Sequence, residues 1–89
     1  MKLKFTATAL KDLHRLKEFI AKKNPVAASK YIDRLLKVIR QLLIQPKLGK
    51  VLDEEPLARQ LVAGDYIARY AVRGETIYIL KIWHGKEER

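Results

Sequence analysis

The chain has 89 residues, 48% of them apolar and 33% charged, which suits one folded domain (residues 1–89) and argues against wholesale disorder. It has no cysteine, so disulfides, thiolate chemistry and the sulfur ligands of a usual zinc site are excluded. Nineteen Lys and Arg stand against ten Asp and Glu, a net charge of +9, and such a field favours an acidic protein or a nucleic acid as partner.

His14 and His84 lie far apart and match no metal spacing. No apolar run reaches the roughly 18 residues of a membrane span, and the N-terminus MKLKFTATALKDLHRLKEF is charged throughout. A cytoplasmic protein without membrane contact is expected.

Lys2 to Phe5 alternates polar and apolar, as a short strand with Leu3 and Phe5 inward would. Thr6 or Thr8 can cap a helix over about Ala9 to Lys22, whose stripe is Ala9, Leu10, Leu13, Leu16, Phe19 and Ile20. Asn24-Pro25 then ends one helix and starts the next: Asn is a good cap, and Pro at the first helical position loses no needed donor. The second helix is predicted from Val26 to about Leu43, with Ala28, Tyr31, Ile32, Leu35, Ile39, Leu42 and Leu43 inward. Leu36 and Val38 widen its apolar surface, for the sheet edge or a partner to cover. The short joint predicts an antiparallel helical hairpin.

Pro46 stops the helix, Gly49 marks a turn, and Lys47 to Pro56 reads as a polar connection. Three strands follow: Leu57 to Val62, Tyr66 to Val72 and Thr76 to Trp83. Ala63-Gly64-Asp65 and Arg73-Gly74 are the turns. In the last strand Ile77, Ile79 and Trp83 are set against Tyr78, Leu80 and Ile82. The order is β-α-α-β-β-β, an α+β domain of two layers: a helical hairpin on a four-stranded, mostly antiparallel sheet. The first strand is expected at an edge or beside the last. The sheet face away from the helices is left half apolar, with arginines near it, as a binding surface.

No nucleophile–base pair, phosphate-cradling glycine loop or acid/base carboxylate pair is present, so no catalytic residue, cofactor or metal is assigned. Arg69 lies inside a strand, on the face away from Tyr66 and Tyr70, where a guanidinium can fork onto phosphate or carboxylate. Arg59, in the preceding strand, is its expected neighbour. His84 closes the last strand beside Gly85 and Lys86, placed to contact a partner or to fix the C-terminal tail.

The segments ATALKDLHRLKEFIAKKNPVAASKYIDRL, QPKLGK and ARQLVAGDYIARYAVRGETIYILKIWHGKEER cover nearly the whole chain. In their order and spacing they resemble the RelE/ParE superfamily of toxins from bacterial type II toxin–antitoxin modules, closest to the ParE-like, plasmid-stabilisation branch. The resemblance implies a helical hairpin on an antiparallel sheet and a cognate antitoxin that wraps the toxin; Leu36, Val38 and Trp83 are candidate antitoxin contacts. Operator DNA would be reached only through the antitoxin. RelE-like members cut messenger RNA on the ribosome, and ParE-like members inhibit DNA gyrase by binding.

Matched by position, the ribonuclease branch's paired lysines fall on Ala58 and Gln60, and its arginines fall on Ile67 and Glu87. Its late tyrosine falls beyond Arg89. A glutamate repels the phosphate an arginine would hold. The resemblance therefore implies gyrase inhibition, with ribosome-dependent cleavage and a non-toxic binding or co-repressor role as alternatives. The candidate contacts to the target or to a phosphate are Arg59, Arg69, His84, Lys86 and Arg89.

Overall fold

The computed structural model describes residues 1–53 and 57–86. Its two helices start where the caps dictate. The Thr6 hydroxyl oxygen accepts the Ala9 amide at 3.1 Å, and helix α1 runs Ala7–Lys23, two residues ahead of the predicted start. Asn24 Oδ1 accepts the Ala27 amide at 3.1 Å, and α2 runs Pro25–Arg40 with its proline in the first turn. The predicted last turn of α2 is instead a 3₁₀ turn at Gln41–Leu43, which still buries Leu42 completely.

Ala9, Leu16, Leu35, Ile39 and Leu42 pack on Leu61, Ala68, Tyr70, Ile77, Ile79 and Ile82 as one core. Leu36 and Val38 are partly buried against it, so the chain itself covers some of the widened apolar surface. Four positions expected inward lie on the flanks of their helices: Leu10 and Phe19 are more than half exposed, and Tyr31 and Leu43 more than a third. The apolar stripes are wider than the surface that the sheet presents to them.

The sheet has five strands rather than four: β1 Lys2–Phe5, β2 Lys50–Val51, β3 Ala58–Ala63, β4 Tyr66–Arg73 and β5 Thr76–His84, in spatial order β1-β5-β4-β3-β2. The extra strand lies in the stretch read as a connection, and two residues are too few to show an alternation. It pairs Lys50 with Gln60 and Val51 with Arg59. β1 runs parallel to β5, Leu3 beside Ile77 and Phe5 beside Ile79, and the other pairs are antiparallel, so the sheet is mixed. Gly64 and Gly74 make the two hairpin turns at φ of 62° and 59°, backbone that other residues adopt only under strain.

β5 outruns β1. Past Ile79 its free edge lies under α1, and polar side chains of the helix take the place of a strand. The Thr6 hydroxyl donates to the Leu80 carbonyl at 3.2 Å, and the Ile82 amide donates to Asp12 Oδ2 at 2.9 Å. Arg15 Nη2 donates to the Ile82 carbonyl at 3.4 Å and lies 3.5 Å from Asp12 Oδ1. A bulge falls here: Tyr70 pairs with Ile79 and Arg69 with Lys81, leaving Leu80 as the extra residue. It reverses the predicted facing beyond that point. Ile82, not Trp83, joins the core, and Trp83 goes to the open face with Arg69. Asp12→Ala leaves the buried Ile82 amide without its acceptor, a loss of about 1–3 kcal/mol; thermal unfolding checks it, and an unchanged midpoint would contradict the assignment.

A second lock holds the segment after α2. The buried Tyr70 hydroxyl donates to the Pro46 carbonyl and accepts the Gly49 amide, each at 2.8 Å. A Cβ at Gly49 would sit 2.6 Å from Tyr70 Cε1 and 2.9 Å from the Gln60 carbonyl oxygen, so Gly49→Ala is expected to cost about 1–3 kcal/mol. Burial raises the Tyr70 pKa above 10.0, against the opposing pull of the Gly49 amide and the Arg59 charge. The folded state therefore holds the phenolic proton more tightly than the unfolded state does. That contribution to stability is full below pH 10.0 and is lost as pH rises through the folded pKa. Denaturant titrations at rising alkaline pH should show this loss in the native chain and a smaller one in Tyr70→Phe.

Candidate interaction surface

The pairing register sorts the candidate residues by face. Arg59 stands beside Tyr70 and Gln60 beside Arg69, so the two arginines read as neighbours lie on opposite sides of the sheet. Arg59 is on the helix side. Its Nη1 donates to the Gly49 carbonyl at 2.8 Å and to the Lys47 carbonyl at 3.4 Å, which ties the segment before β2 to β3.

His84 and Lys86 lie at the far end of β5. The Lys86 amide donates to His84 Nδ1 at 3.1 Å, and the imidazole meets the Tyr66 ring edge-on at 5.3 Å. With Arg15, Phe19 and Lys23 they line a shallow basic cleft beside the end of α1. Lys23 Nζ rests 5.0 Å from the centre of the Phe19 ring. Arg89 and Glu87 lie outside the described residues.

Arg69 is on the open face. Its guanidinium lies over the Trp83 ring at 5.4 Å, and its Nε is buried with no hydrogen-bond partner among the described residues. The four candidates among the described residues thus do not form one constellation. Arg59 anchors a loop, Arg69 sits mid-sheet, and His84 and Lys86 mark one end. Of the candidate antitoxin contacts, Val38 borders a cleft between α2 and the β3–β4 turn, with Tyr31, Arg34, Asp65 and Tyr66. Leu36 packs on the core, and Trp83 is 9% exposed.

On the open face the register sets out several rows, one of them Ala58, Ala71, Tyr78 and Lys4 toward the start of β5. Val62, Ile67 and Trp83 form an apolar one; Lys50, Gln60, Arg69 and Lys81 form a polar one beside it. Sequence reasoning singled out Arg69 but neither Lys50 nor Lys81. Lys50 lies in the unrecognised strand, and only the bulge brings Lys81 opposite Arg69. Among the described residues no helix is long and apolar enough to cross a membrane.

A helical hairpin on one face of a mixed sheet, with charge and apolar surface on the other, is the α+β architecture of the RelE/ParE-like toxin fold. The family model described as the ParE toxin of the type II toxin–antitoxin system parDE matches residues 3–89, and the chain belongs to that family. It is accordingly the toxin component of a type II toxin–antitoxin module. Among solved structures it is similar to the chromosomal ParDE toxin–antitoxin system from P. aeruginosa. That match has a TM-score of 0.83 and 25% identity, over 94% of this chain and 95% of the other. It is also similar to the RelBE2 toxin–antitoxin complex from Mycobacterium tuberculosis, with a TM-score of 0.62 and 25% identity, over 93% and 95% of the two chains. A curated relative, Toxin RelE1 of Caulobacter vibrioides, is 26% identical over 83 residues, covering 91% of this chain and 89% of that protein.

The distinct placements have distinct consequences. Arg59→Ala removes the charged donor from two loop carbonyls and should lower stability by about 1–2 kcal/mol. Lys86→Ala, whose ammonium lies on the surface, should leave the unfolding midpoint within about 0.5 kcal/mol of the native value. Paired denaturant curves check both, and equal effects would contradict the different roles.

Proposed function

We propose that the protein acts by binding rather than by cutting RNA: it inhibits DNA gyrase through direct contact, and a cognate antitoxin neutralises it. The carrying observation is Ile67. At the position where the resemblance to the ribonuclease branch would put a phosphate-binding arginine, the chain has an apolar side chain set between Val62 and Trp83. Gln60 stands where that branch has a lysine. The closer likeness to the ParDE structure than to the RelBE2 structure supports the same branch.

The antitoxin reading is supported by the toxin–antitoxin context of both similar structures and by the partly buried apolar flank at Leu36 and Val38. Arg69, His84, Lys86 and Arg89 remain the proposed contacts to the target. Operator DNA is met only through the antitoxin.

Supercoiling by purified gyrase should fall when micromolar toxin is added and recover when the antitoxin is added. Undiminished supercoiling would overturn the gyrase reading. The same preparation should leave ribosome-bound messenger RNA intact, and specific cleavage abolished by Arg69→Ala or His84→Ala would establish the ribonuclease in its place.

A further inference from the structure

The open face carries more order than a scatter of surface lysines. Lys50, Gln60, Arg69 and Lys81 stand directly opposite one another on β2, β3, β4 and β5. Strands lie about 4.8 Å apart, so the row crosses the sheet over about 14 Å. Arg69 and Lys81 form a like-charged cross-strand pair, an arrangement that destabilises a sheet unless something negative lies over it. No carboxylate among the described residues pairs with either of them. The buried Arg69 Nε has no partner among the described residues.

Two residues along each strand, about 7 Å away, runs the apolar row Val62, Ile67 and Trp83. Val62 is 65% exposed. Among the described residues no helix covers this face.

We infer that these two rows form a docking site for an acidic amphipathic helix of a partner protein, lying across the strands. Its carboxylates face Lys50, Arg69 and Lys81, and its apolar stripe rests on Val62, Ile67 and the edge of Trp83. The span of the charged row corresponds to about nine residues of helix. A helix presents acidic and apolar stripes side by side, as the two rows do.

A nucleic acid fits less well. Single strands need a run of open aromatic faces for stacking, and here Trp83 is 9% exposed with Arg69 over its ring, which leaves the half-buried Tyr78 alone among the described residues of this face. An apolar row beside the cations also offers nothing to a phosphate backbone. This site deepens the reading of the protein as one that acts by binding, and it rests on that reading.

Trp83 is the only tryptophan, so its emission reports on the site. The full chain is titrated with a synthetic helical peptide of about three turns, with glutamates along one stripe and leucines along the next. A peptide of the same composition in scrambled order, and single-stranded DNA and RNA oligonucleotides, are titrated alongside. The amphipathic peptide should bind, shift the Trp83 emission and weaken as salt is raised. The double variant Lys50→Gln, Lys81→Gln keeps the Arg69–Trp83 stack and should weaken binding roughly tenfold, whereas Lys37→Gln on α2 should leave it unchanged.

No binding, equal binding by the double variant, equal binding of the scrambled peptide, or tighter binding of an oligonucleotide would each overturn the site. Gyrase inhibition measured on the same preparation separates the two claims. Inhibition without peptide binding overturns this site and leaves the gyrase reading standing. Peptide binding without inhibition supports the site and removes gyrase as the target.

Discussion

Strand β5 continues for five residues past its parallel neighbour, and the edge exposed there is closed by Thr6, Asp12 and Arg15 of the first helix and its cap. A buried amide left without an acceptor costs more than most single contacts return, so the carboxylate of Asp12 does more than join two elements. It sets where α1 lies over the sheet and at what height along β5. Leu16 and Ala9 then fall on the core, while Phe19 and Lys23 are carried beyond it toward His84. The bulge at Leu80 belongs to the same arrangement. It turns Ile82 toward the helices, where its amide meets Asp12, and sends Trp83 to the opposite face.

The two faces consequently have different chemistry. The helix side is a continuous apolar core whose polar neighbours are bonded to backbone, Tyr70 and Arg59 to the loop before β2 and Asp12 to β5. The other side combines the exposed Val62 and the half-buried Ile67 with cations in register that no carboxylate among the described residues pairs. A toxin-fold protein needs a surface that stays available after folding. Here it is the surface that the hairpin, by committing to one face of the sheet, leaves uncovered.

Much of this was legible because local chemistry and global fold agree. Asn24-Pro25 specified the joint between helices through side-chain capping alone, and Gly64 and Gly74 specified the hairpin turns through their backbone freedom. Alternation along Tyr66–Val72 placed Arg69 correctly away from Tyr70. What was not legible depends on contacts distant in sequence. β2 is two residues long and exists because Gly49 lets the chain approach Tyr70 closely. The bulge follows from packing of α1 on β5, and nothing in the local pattern of ILKIWH marks Leu80 as the extra residue. That single insertion misassigned Ile82 and Trp83, and it hid the pairing of Arg69 with Lys81. The helix flanks at Leu10 and Phe19 were misread because periodicity shows which side is apolar but not how wide a strip the sheet can cover.

The parallel pairing of the first strand with the last also governs the order of assembly. Residues 2–5 find their partner only in residues 76–79, so the sheet stays incomplete during synthesis until almost all of the described chain has been made. Until then α1 lacks the strand it packs on, and closure waits on the most distant strand pairing among the described residues. A nascent chain of this design gains its finished binding face late, so an incomplete translation product would lack the strand that carries Lys81 and Trp83.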